Sequence, residues 1–410
     1  MKKNCIVAQS GGPTTAINAS LAGVISECVS GGRFEKVYGA IHGIQGVMER
    51  KFIELGGLRE SGDINVLSHT PAMYIGSCRY KLPEPEKEPE VYEKLFIVFE
   101  EMDIGAFFYI GGNDSMETVT KLSAYGEKIG SDIRFAGVPK TIDNDLVGTD
   151  HTPGYGSAAK FIASAMREIS YDTYIYKVPT VTIVEIMGRD AGWLTAAAAL
   201  ARNEYLKTPQ LIYLPEVAFD MDSFIEDVRE CLKHSRNVVV AVSEVIRDKN
   251  GNYISAMNAK EDKFGHAQLS GAGKALEIEV KEKIGVKCRS IELNILQRCA
   301  GHIASATDLY EAEMLGSAAV KLTALGHSGF MTVLKRYEDQ EEYSCYVDEV
   351  KLSEVANKEK KVPLEWINEK GNDVKDELVD YIRPLIMGEV TPFYKDGLPV
   401  YLPIPHLTDH

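Results

Sequence analysis

Short apolar runs alternate along this chain with stretches of helical pattern, and few folds accommodate such an alternation. Four runs in the first third are apolar and lie next to glycine, proline or polar residues: CIVAQ (5–9), KVYGAIHG (36–43), GAFFYIGG (105–112) and IRFAGVP (133–139). Helical patterns cover residues 16–29, 91–103 and 115–130. Apolar strands separated by amphipathic helices are typical of parallel βαβ units.

The same alternation continues through the middle of the chain. Helical stretches at 156–171 and 192–203 alternate with the strand-like runs PTVTIVEIM (179–187), LIYLPE (211–216), NVVVAVSE (237–244) and IELNILQ (291–297). The segment GTDHTPGYGSAAK (148–160) is predicted to cross between the two series. We therefore predict an α/β protein of two doubly wound, Rossmann-like domains with mostly parallel sheets and an active site in the cleft between them. After about residue 345 the chain is charged and irregular, and we expect a surface extension there.

The bulk properties exclude several classes of protein. With 410 residues and 45% hydrophobic content, the chain can bury the cores of two or three domains. Its net charge is −15 and its basic residues form no cluster, so we expect no nucleic-acid partner. We find no apolar stretch of about 18 residues and no signal-peptide pattern, so we expect no membrane association. Seven cysteines without a CxxC pair favour free thiols in the cytoplasm.

Two glycine turns follow predicted strands and open predicted helices. They are SGGPTTAINA (10–19) and IGGNDSMET (110–118). Glycines at a strand end let backbone N–H groups approach an anion, and the following helix N-terminus favours negative charge. A plain strand-to-helix turn is the alternative for the first, and N-capping by Ser115 is the alternative for the second.

The stretch GVPKTIDNDL (137–146) places a cation and two carboxylates within six positions at a strand end. Lys140 is suited to a phosphoryl oxygen. Asp143 and Asp145 would share one side of an extended backbone, so one could accept a proton from a hydroxyl while the other holds Mg²⁺. An Asx-type turn is the alternative.

Further charged residues lie near the ends of later predicted strands. Arg189 in EIMGRDAGW (185–193) is placed to bind a carboxylate or phosphate, with a structural salt bridge as the alternative. Arg79, Glu244 and Arg298 are each, taken alone, better explained as paired or solvated charges. The glycine-rich stretch FGHAQLSGAGK (264–274) is interpreted as a mobile loop near a substrate or as a plain surface loop.

Together these motifs resemble the phosphofructokinase family. GGNDS, PKTIDND and MGRDAGW follow one another in the family order, with SGGP, GSCR, AVSE and LQR spaced around them, over roughly residues 4 to 330. The chain looks most like the pyrophosphate-dependent branch. ATP-using relatives typically have glycine where this chain has Asp114 and Lys140. A carboxylate beside the α-phosphate position would repel ATP.

The resemblance implies reversible phosphoryl transfer from pyrophosphate to the 1-hydroxyl of fructose 6-phosphate, with Mg²⁺, in glycolysis or gluconeogenesis. Asp143 would be the base, Asp145 would assist with the metal or with the base, and Lys140 would neutralise the moving phosphoryl group. The other implied site residues are Asn113 and Asp114 at the metal, Gly12, Arg79, Ser115, Thr141 and Ile142 around the phosphates, and Met187, Gly188, Arg189, Glu244 and Arg298 at the sugar phosphate.

The resemblance also implies an organisation. Residues 1–150 with about 305–335 would form the phosphoryl-donor domain, 151–304 the fructose 6-phosphate domain and 336–410 a C-terminal extension. A homodimer or homotetramer is the family expectation.

Three positions depart from the family pattern. Asn113 stands where the family more often has aspartate, and its amide oxygen is a weaker ligand for Mg²⁺ than a carboxylate. Thr180 stands where many bacterial ATP enzymes have an arginine that reaches into a neighbouring subunit. Leu309 replaces the arginine of a DR pair, and Tyr310 is our candidate for its substitute.

Three alternative functions are each opposed by a feature of the sequence. An ATP-dependent phosphofructokinase is opposed by Asp114 and Lys140. A non-catalytic subunit that binds sugar phosphate is opposed by the intact Asp143. A dinucleotide-binding module is opposed by SGGPTT, which lacks the GxGxxG spacing.

Overall fold

Strands and helices alternate over most of the chain in the computed structural model, which describes residues 3–175, 177–256, 260–261, 267–268, 271–337, 340 and 342–407. The strands are β1 Asn4–Gln9, β2 Val37–Ala40, β3 Phe52–Glu54, β4 Ile104–Gly111, β5 Arg134–Pro139, β6 Thr180–Ile186, β7 Leu211–Tyr213, β8 Asn237–Ser243, β9 Lys260–Glu261, β10 Ala267–Gln268, β11 Lys287–Glu292, β12 Phe330–Arg336, β13 Cys345–Lys351, β14 Tyr394–Lys395 and β15 Leu398–Pro399. The helices are α1 Ile17–Ser30, α2 Gly43–Met48, α3 Gly57–Glu60, α4 Ile64–His69, α5 Pro89–Glu101, α6 Asn113–Ile129, α7 Tyr155–Tyr174, α8 Trp193–Ala196, α9 Met221–His234, α10 Ala272–Lys283, α11 Ala306–Leu325, α12 Leu352–Val355 and α13 Asp376–Ile382. The predicted α/β class is confirmed.

Seven strands form the larger sheet, in the order β13-β12-β5-β4-β1-β2-β3. The five inner strands run parallel, and β3 and β13 pair antiparallel at the two edges. The chain moves from β1 to β2 on one side and returns with β4 on the other, so the strand order reverses between β1 and β4. A ligand crevice opens at such a reversal, beyond the carboxyl ends of the strands. Gln9 pairs with Ile110, and Gly111 pairs with Pro139, so the three inner strands end almost level there.

Four parallel strands form the smaller sheet, in the order β11-β6-β8-β7. Every residue of β6 and β8 is buried. Helices cover a parallel sheet on both faces, which explains why these strands are continuous β-branched runs. The crossing segment reaches this sheet through Gly154, whose φ is 104°. A Cβ there would lie 2.7 Å from the Thr14 side chain, so the crossing packs directly on the loop after β1.

Two local predictions are wrong. The run IELNILQ (291–297) is not a strand, because β11 ends at Glu292 and Asn294–Arg298 form a 3₁₀ helix. Ile295 and Leu296 are 54% and 57% exposed, so their apolar character does not mark a buried strand. The predicted helix at 192–203 divides into α8 and a 3₁₀ helix at Ala197–Ala201.

The segment after residue 345 is not the surface extension that its charged composition suggests. Strand β13 completes one edge of the larger sheet. Beyond it, apolar side chains enter the core beneath the smaller sheet, together with α7 and α8: Val362, Ile367, Val374, Leu378, Ile382 and Leu385. Leu378, Ile382 and Leu385 follow the spacing of one helix face, so part of this burial has a local signal in the sequence. Val362, Ile367 and Val374 lie in irregular segments without such a period.

The seven cysteines are dispersed through this fold and are free thiols. Among the described residues, no helix combines the length and the apolar character that a membrane crossing requires.

Candidate active site

A cavity lies between the carboxyl ends of the strands of the two sheets and encloses about 860 Å³, its open mouth included. The residues that line it are Gly11, Gly12, Pro13, Arg79, Gly112, Asn113, Asp114, Ser115, Lys140, Thr141, Ile142, Asp143, Asp145, Met187, Gly188, Arg189, Glu244 and Arg298. Every predicted site residue except Tyr310 is in this set. The fold therefore brings together motifs that are far apart in the sequence.

The glycine turn after β1 leaves space between two cations. Gly11 has a φ of 82°, in the left-handed region. A Cβ on Gly11 would lie 3.4 Å from Nζ of Lys140, and a Cβ on Gly12 would lie 3.5 Å from a guanidinium nitrogen of Arg298. Side chains at these positions would fill the space in which both cations can reach an anion.

The glycine turn after β4 exposes polar atoms at the start of α6. The helix begins after Gly112 without a side-chain cap, so Ser115 is not the capping residue of the simpler alternative. The Ser115 hydroxyl instead contacts the Ser10 hydroxyl at the end of β1. Oδ1 of Asn113 is buried and has no hydrogen-bond partner within the described ranges. Asp114 lies in the same first turn and also lines the cavity, so two oxygen-bearing side chains lie together there.

Lys140 is the most deeply buried cation of the cavity wall, with 2% of its surface exposed. Its Nζ donates to the carbonyl oxygen of Gly12 at 2.5 Å, and its backbone N–H donates to Gly111 at 2.9 Å. Burial lowers the pKa of Lys140 to about 7, although the negative charges of Asp143 and Asp145 act to raise it. A phosphate placed here would stabilise the protonated amine.

Asp143 is buried beside this lysine and is 8% exposed. Burial raises the pKa of Asp143 to about 6, the nearby Asp145 carboxylate raises it further, and Arg189 opposes the shift. Nε of Arg189 lies 3.5 Å from Oδ2 of Asp143. A carboxyl group with a pKa near neutrality is suited to general-base work.

Asp143 and Asp145 both line the cavity, but the reason is not the extended backbone that we predicted. The residue between them, Asn144, has a φ of 55°. The chain therefore turns at Asn144, whose side chain is fully buried and donates to the hydroxyl of Tyr381 at 3.0 Å. The carboxylates of Asp143 and Asp145 both face the cavity because the side chain of Asn144 is held in the protein interior, away from the cavity.

The loop after β6 is held by a carboxylate of the neighbouring strand. Oε1 of Glu244 accepts the backbone N–H of Gly188 at 3.1 Å and that of Arg189 at 3.4 Å. Arg189 has a φ of 51°, and its side chain is 67% exposed. Arg189 is thus an exposed charge on a fixed backbone, and its observed partner is Asp143.

Gln297 is a site residue that sequence reasoning missed. Its amide accepts from the N–H of Met187 at 3.3 Å and donates to the carbonyl of Met187 at 3.1 Å. It lies on the 3₁₀ helix that we predicted as a strand, next to Arg298, whose Nε is buried without a hydrogen-bond partner in the described part of the chain. Only the correct local structure would have shown that Gln297 binds Met187 while Arg298 lines the cavity.

The structure does not bring Tyr310 to the cavity. Tyr310 is 66% exposed on α11 and lines a separate groove with Met314 and Tyr346. The carboxylate of Asp308, two residues earlier, is buried and accepts the N–H groups of Gly154 and Ser157 at the start of α7. Residues two apart on a helix point in nearly opposite directions, so this helix cannot turn both toward the cleft.

Thr180 also lies away from the described cavity wall. Thr180 begins β6, at the end of the strand remote from the cavity. Residues 264–266 and 269–270 of the glycine-rich stretch lie outside the described residues, so the prediction of a loop near the substrate stays a prediction. At the end of that stretch, Gly273 donates its N–H to the buried carboxylate of Glu185 at 2.7 Å.

Mg²⁺ was predicted for this cavity. In the ranges that the structure describes, no three or more His, Cys, Asp or Glu side chains are grouped so as to hold a metal ion. The side chains alone therefore do not form a closed metal cage.

The comparisons with known proteins agree with the geometry. The phosphofructokinase family model matches residues 4–323. The chain is 40% identical over 404 residues to the pyrophosphate–fructose 6-phosphate 1-phosphotransferase of Methylococcus capsulatus, covering 98% of this chain and 95% of that protein. It is 40% identical over 400 residues to the protein of the same name from Halomonas elongata, covering 97% and 94%. The crystal structure of the pyrophosphate-dependent phosphofructokinase from Nitrosospira multiformis superposes with a TM-score of 0.87 at 38% identity, covering 98% of this chain and 96% of that one.

The matched range contains every residue that lines the cavity. Three observations lead to one assignment: the motifs resemble the family, the strand order reverses at the cavity, and the similarity extends over nearly the whole length. This chain belongs to the phosphofructokinase family.

Proposed function

We propose that this chain catalyses reversible phosphoryl transfer from pyrophosphate to the 1-hydroxyl of fructose 6-phosphate, giving fructose 1,6-bisphosphate and phosphate. The observation that carries the proposal is the position of Lys140, a buried cation between the glycine turn after β1 and the carboxylate of Asp143. The relatives named for this activity, matched over nearly their full length, support it.

Asp143 acts as the general base. Its pKa of about 6 leaves most of the carboxyl groups ionised at pH 7, while the remaining basicity is sufficient to accept a proton as the 1-hydroxyl attacks. Asp145, also buried on the same loop, adds negative charge that keeps this pKa raised. Asp145 therefore assists the base electrostatically.

Lys140 stabilises the transferred phosphoryl group. Because burial lowers its pKa to about 7, the free site holds a mixture of amine and ammonium, and a bound phosphate draws it to the ammonium. A cation in a poorly hydrated position interacts strongly with charge that develops in the transition state. Thr141 and Ile142 continue the same wall, and Gly12, Arg79 and Ser115 surround the donor.

The donor end fits Mg²⁺. Oδ1 of Asn113 is a buried oxygen without a partner in the described residues, and Asp114 is its neighbour on α6. Mg²⁺ is usually held by one or two protein oxygens together with substrate phosphates, so the small number of protein ligands agrees with a metal that arrives with pyrophosphate. Asn113 and Asp114 would hold the ion. When bound, it would neutralise phosphate charge.

The sugar end is formed by the loop after β6 and the 3₁₀ helix after β11. Arg189 and Arg298 supply positive charge for the 6-phosphate, and Nε of Arg298 is buried without a partner among the described residues. Met187 and Gly188 form the floor, fixed by Gln297 and Glu244. The Glu244 carboxylate has a second oxygen for the sugar hydroxyls, as the family resemblance implies.

The first experiment measures initial rates with fructose 6-phosphate and Mg²⁺, with pyrophosphate or ATP as the sole donor. Turnover with pyrophosphate alone is expected. Turnover with ATP alone would keep the fold and the base but overturn the assignment of the donor. No turnover with either, together with binding of fructose 6-phosphate, would favour a non-catalytic subunit.

A second experiment tests the donor assignment through Asp114 and Lys140. Asp114→Gly is expected to weaken the exclusion of ATP, because it removes a carboxylate from the donor end of the cavity. The double change Asp114→Gly and Lys140→Gly is expected to shift the ratio of ATP to pyrophosphate turnover further toward ATP. A ratio that stays unchanged in the double variant contradicts this account.

We further propose a homodimer or homotetramer located in the cytoplasm. The exposed aromatic groove around Tyr310 and Tyr346 supports self-association. Light scattering coupled to size-exclusion chromatography measures the assembly, and a monomer at micromolar concentration would contradict it.

A further inference from the structure

A buried polar network lies directly behind the loop that carries the two carboxylates. At its centre is Asn144, which is 0% exposed and has a φ of 55°. Residues other than glycine are uncommon in this left-handed region, and such a conformation persists only where its surroundings determine it. The side chain of Asn144 shows what those surroundings are.

Both ends of the Asn144 amide are engaged. Nδ2 donates to the hydroxyl of Tyr381 at 3.0 Å. Oδ1 accepts the backbone N–H of Thr152 at 3.0 Å and lies 3.5 Å from Nζ of Lys360. A residue with all these contacts cannot swing into the cavity without breaking several buried hydrogen bonds.

Lys360 contacts the loop through its main chain as well. Its backbone N–H donates to the carbonyl of Asp145 at 2.7 Å. Its Nζ donates to the carbonyl of Asp150 at 2.5 Å, and its own carbonyl accepts the indole N–H of Trp193 at 2.9 Å. Burial lowers the pKa of Lys360 to about 8, so the side chain remains mostly charged at pH 7. Lys360 thus ties Asn144 and Asp145 to the segment at Asp150.

Tyr381 is itself fixed on its far side. Its hydroxyl donates to the carbonyl of Asp150 at 2.7 Å. The guanidinium of Arg336 lies 4.9 Å from its ring centre and donates to the Asp150 carboxylate at 3.1 Å. The tyrosine therefore presents its oxygen to Asn144 from a rigid support.

Lys360 and Tyr381 lie beyond residue 323, where the family match ends. We propose that they are positioning residues for the reaction: they hold Asn144 in its left-handed conformation and thereby keep the carboxylates of Asp143 and Asp145 directed into the cavity. This inference rests on the proposed function. It gives the C-terminal segment, whose composition suggested a surface extension, a part in arranging the site.

The test is a double-mutant cycle in kcat between position 381 and position 144. Tyr381→Phe removes one oxygen atom and is expected to lower kcat roughly three- to tenfold, with KM for both substrates changed by less than about twofold. Asn144→Gly supplies a residue that adopts the left-handed conformation without a side-chain contact. In the Asn144→Gly background, Tyr381→Phe is expected to have almost no further effect.

Lys360→Met tests the second contact, and it is expected to lower kcat at least as much as Tyr381→Phe. The matched controls are Tyr394→Phe and Lys358→Met, which change exposed side chains of the C-terminal segment. If Lys360→Met does not fold, the cycle at Tyr381 still decides, because it removes a single atom. Melting temperatures of all variants separate lost stability from lost turnover.

Two outcomes would overturn the inference. Folded Tyr381→Phe and Lys360→Met proteins with unchanged kcat would show that neither residue affects the carboxylates. An equal loss of kcat from Tyr381→Phe in the wild-type background and in the Asn144→Gly background would show that Tyr381 does not act through Asn144. A wild-type protein without pyrophosphate turnover would be a different result, since it would refute the proposed function before any variant is compared.

Discussion

The two walls of the cleft differ in how far their charged groups are removed from water. On the wall from the larger sheet, Lys140 and Asp143 are 2% and 8% exposed. On the wall from the smaller sheet, the side chain of Arg189 is 67% exposed. Charges interact more strongly where water is excluded, and desolvation brings the pKa values of an amine and a carboxyl group toward each other. The buried wall is therefore suited to the chemical step, and the exposed wall to binding and release of the sugar phosphate.

The most severe test of this difference is Asp143→Asn. The amide cannot accept the proton of the attacking hydroxyl, so we expect kcat to fall roughly 100- to 10,000-fold, while KM for fructose 6-phosphate changes little. Steady-state kinetics with pyrophosphate measure both. Asp190→Asn is the matched control and should retain activity, because the Asp190 carboxylate pairs with Arg247 and is not among the residues that line the cavity. If kcat survives in Asp143→Asn, the buried wall does not supply the base.

Lys140→Met is expected to lower kcat by roughly 100-fold, because it removes the cation that stabilises the phosphoryl group. A thermal melt shows whether the variant is folded, since methionine in place of a buried amine is not expected to be destabilising. Arg229→Gln, a charge change on the exposed surface of α9, is a control for the loss of a cation elsewhere. A larger effect on KM than on kcat would show that Lys140 acts in substrate binding and not in the chemical step.

The pH profile sharpens the same comparison. In the free enzyme, kcat/KM for pyrophosphate should rise with pH through about 6 as Asp143 loses its proton, and fall above about 7 as Lys140 loses its own. Lys140→Met should abolish the alkaline limb. It should also move the acid limb to higher pH, because the lysine charge lowers the pKa of Asp143. A limb caused by titration of pyrophosphate itself would remain in the variant, so an unchanged alkaline limb contradicts the assignment.

The exposed wall is tested by Arg189→Gln. We expect KM for fructose 6-phosphate to rise roughly tenfold, since an exposed cation contributes about 1–2 kcal/mol to phosphate binding. The acid limb should move to higher pH as well, because Arg189 lowers the pKa of Asp143. Kinetics over a pH range of about 5 to 9 give both quantities. A fall in kcat as large as that of Asp143→Asn would erase the distinction between the walls.

The sequence was informative where the chain is locally consistent. Apolar runs bounded by glycine predicted the inner strands of both sheets, because strands buried on both faces need continuous apolar residues. The strand predicted at 291–297 failed because two exposed apolar residues, Ile295 and Leu296, imitate that pattern. The residues after 345 failed for the opposite reason, since their core contacts are made with α7 and α8, which lie far earlier in the chain.

The candidate site shows the same limit. The motifs that follow strand ends were predicted to form one site, because the carboxyl ends of parallel strands lie at the same edge of the sheet. Tyr310 is a candidate only because it lies next to Leu309 in the sequence. The helix directs its side chain into a separate groove, away from the cavity. The backbone turn at Asn144 depends on Lys360 and Tyr381, which are 216 and 237 positions away, and no local pattern reports such contacts.

The smallest expected effect concerns Glu244, which separates two roles within the exposed wall. Its Oε1 accepts the backbone N–H groups of Gly188 and Arg189, and so holds the loop that presents the arginine. Glu244→Gln keeps an acceptor oxygen in the same place, so we expect KM for fructose 6-phosphate to change by about twofold. Glu244→Ala leaves both N–H groups without that acceptor, and we expect an increase of roughly tenfold. Steady-state kinetics give KM, and isothermal titration with fructose 6-phosphate alone gives the accompanying change in Kd without turnover. If Glu244→Gln were as weak as Glu244→Ala, the second carboxylate oxygen on the sugar hydroxyls would contribute more to binding than the contacts of Oε1 with the loop.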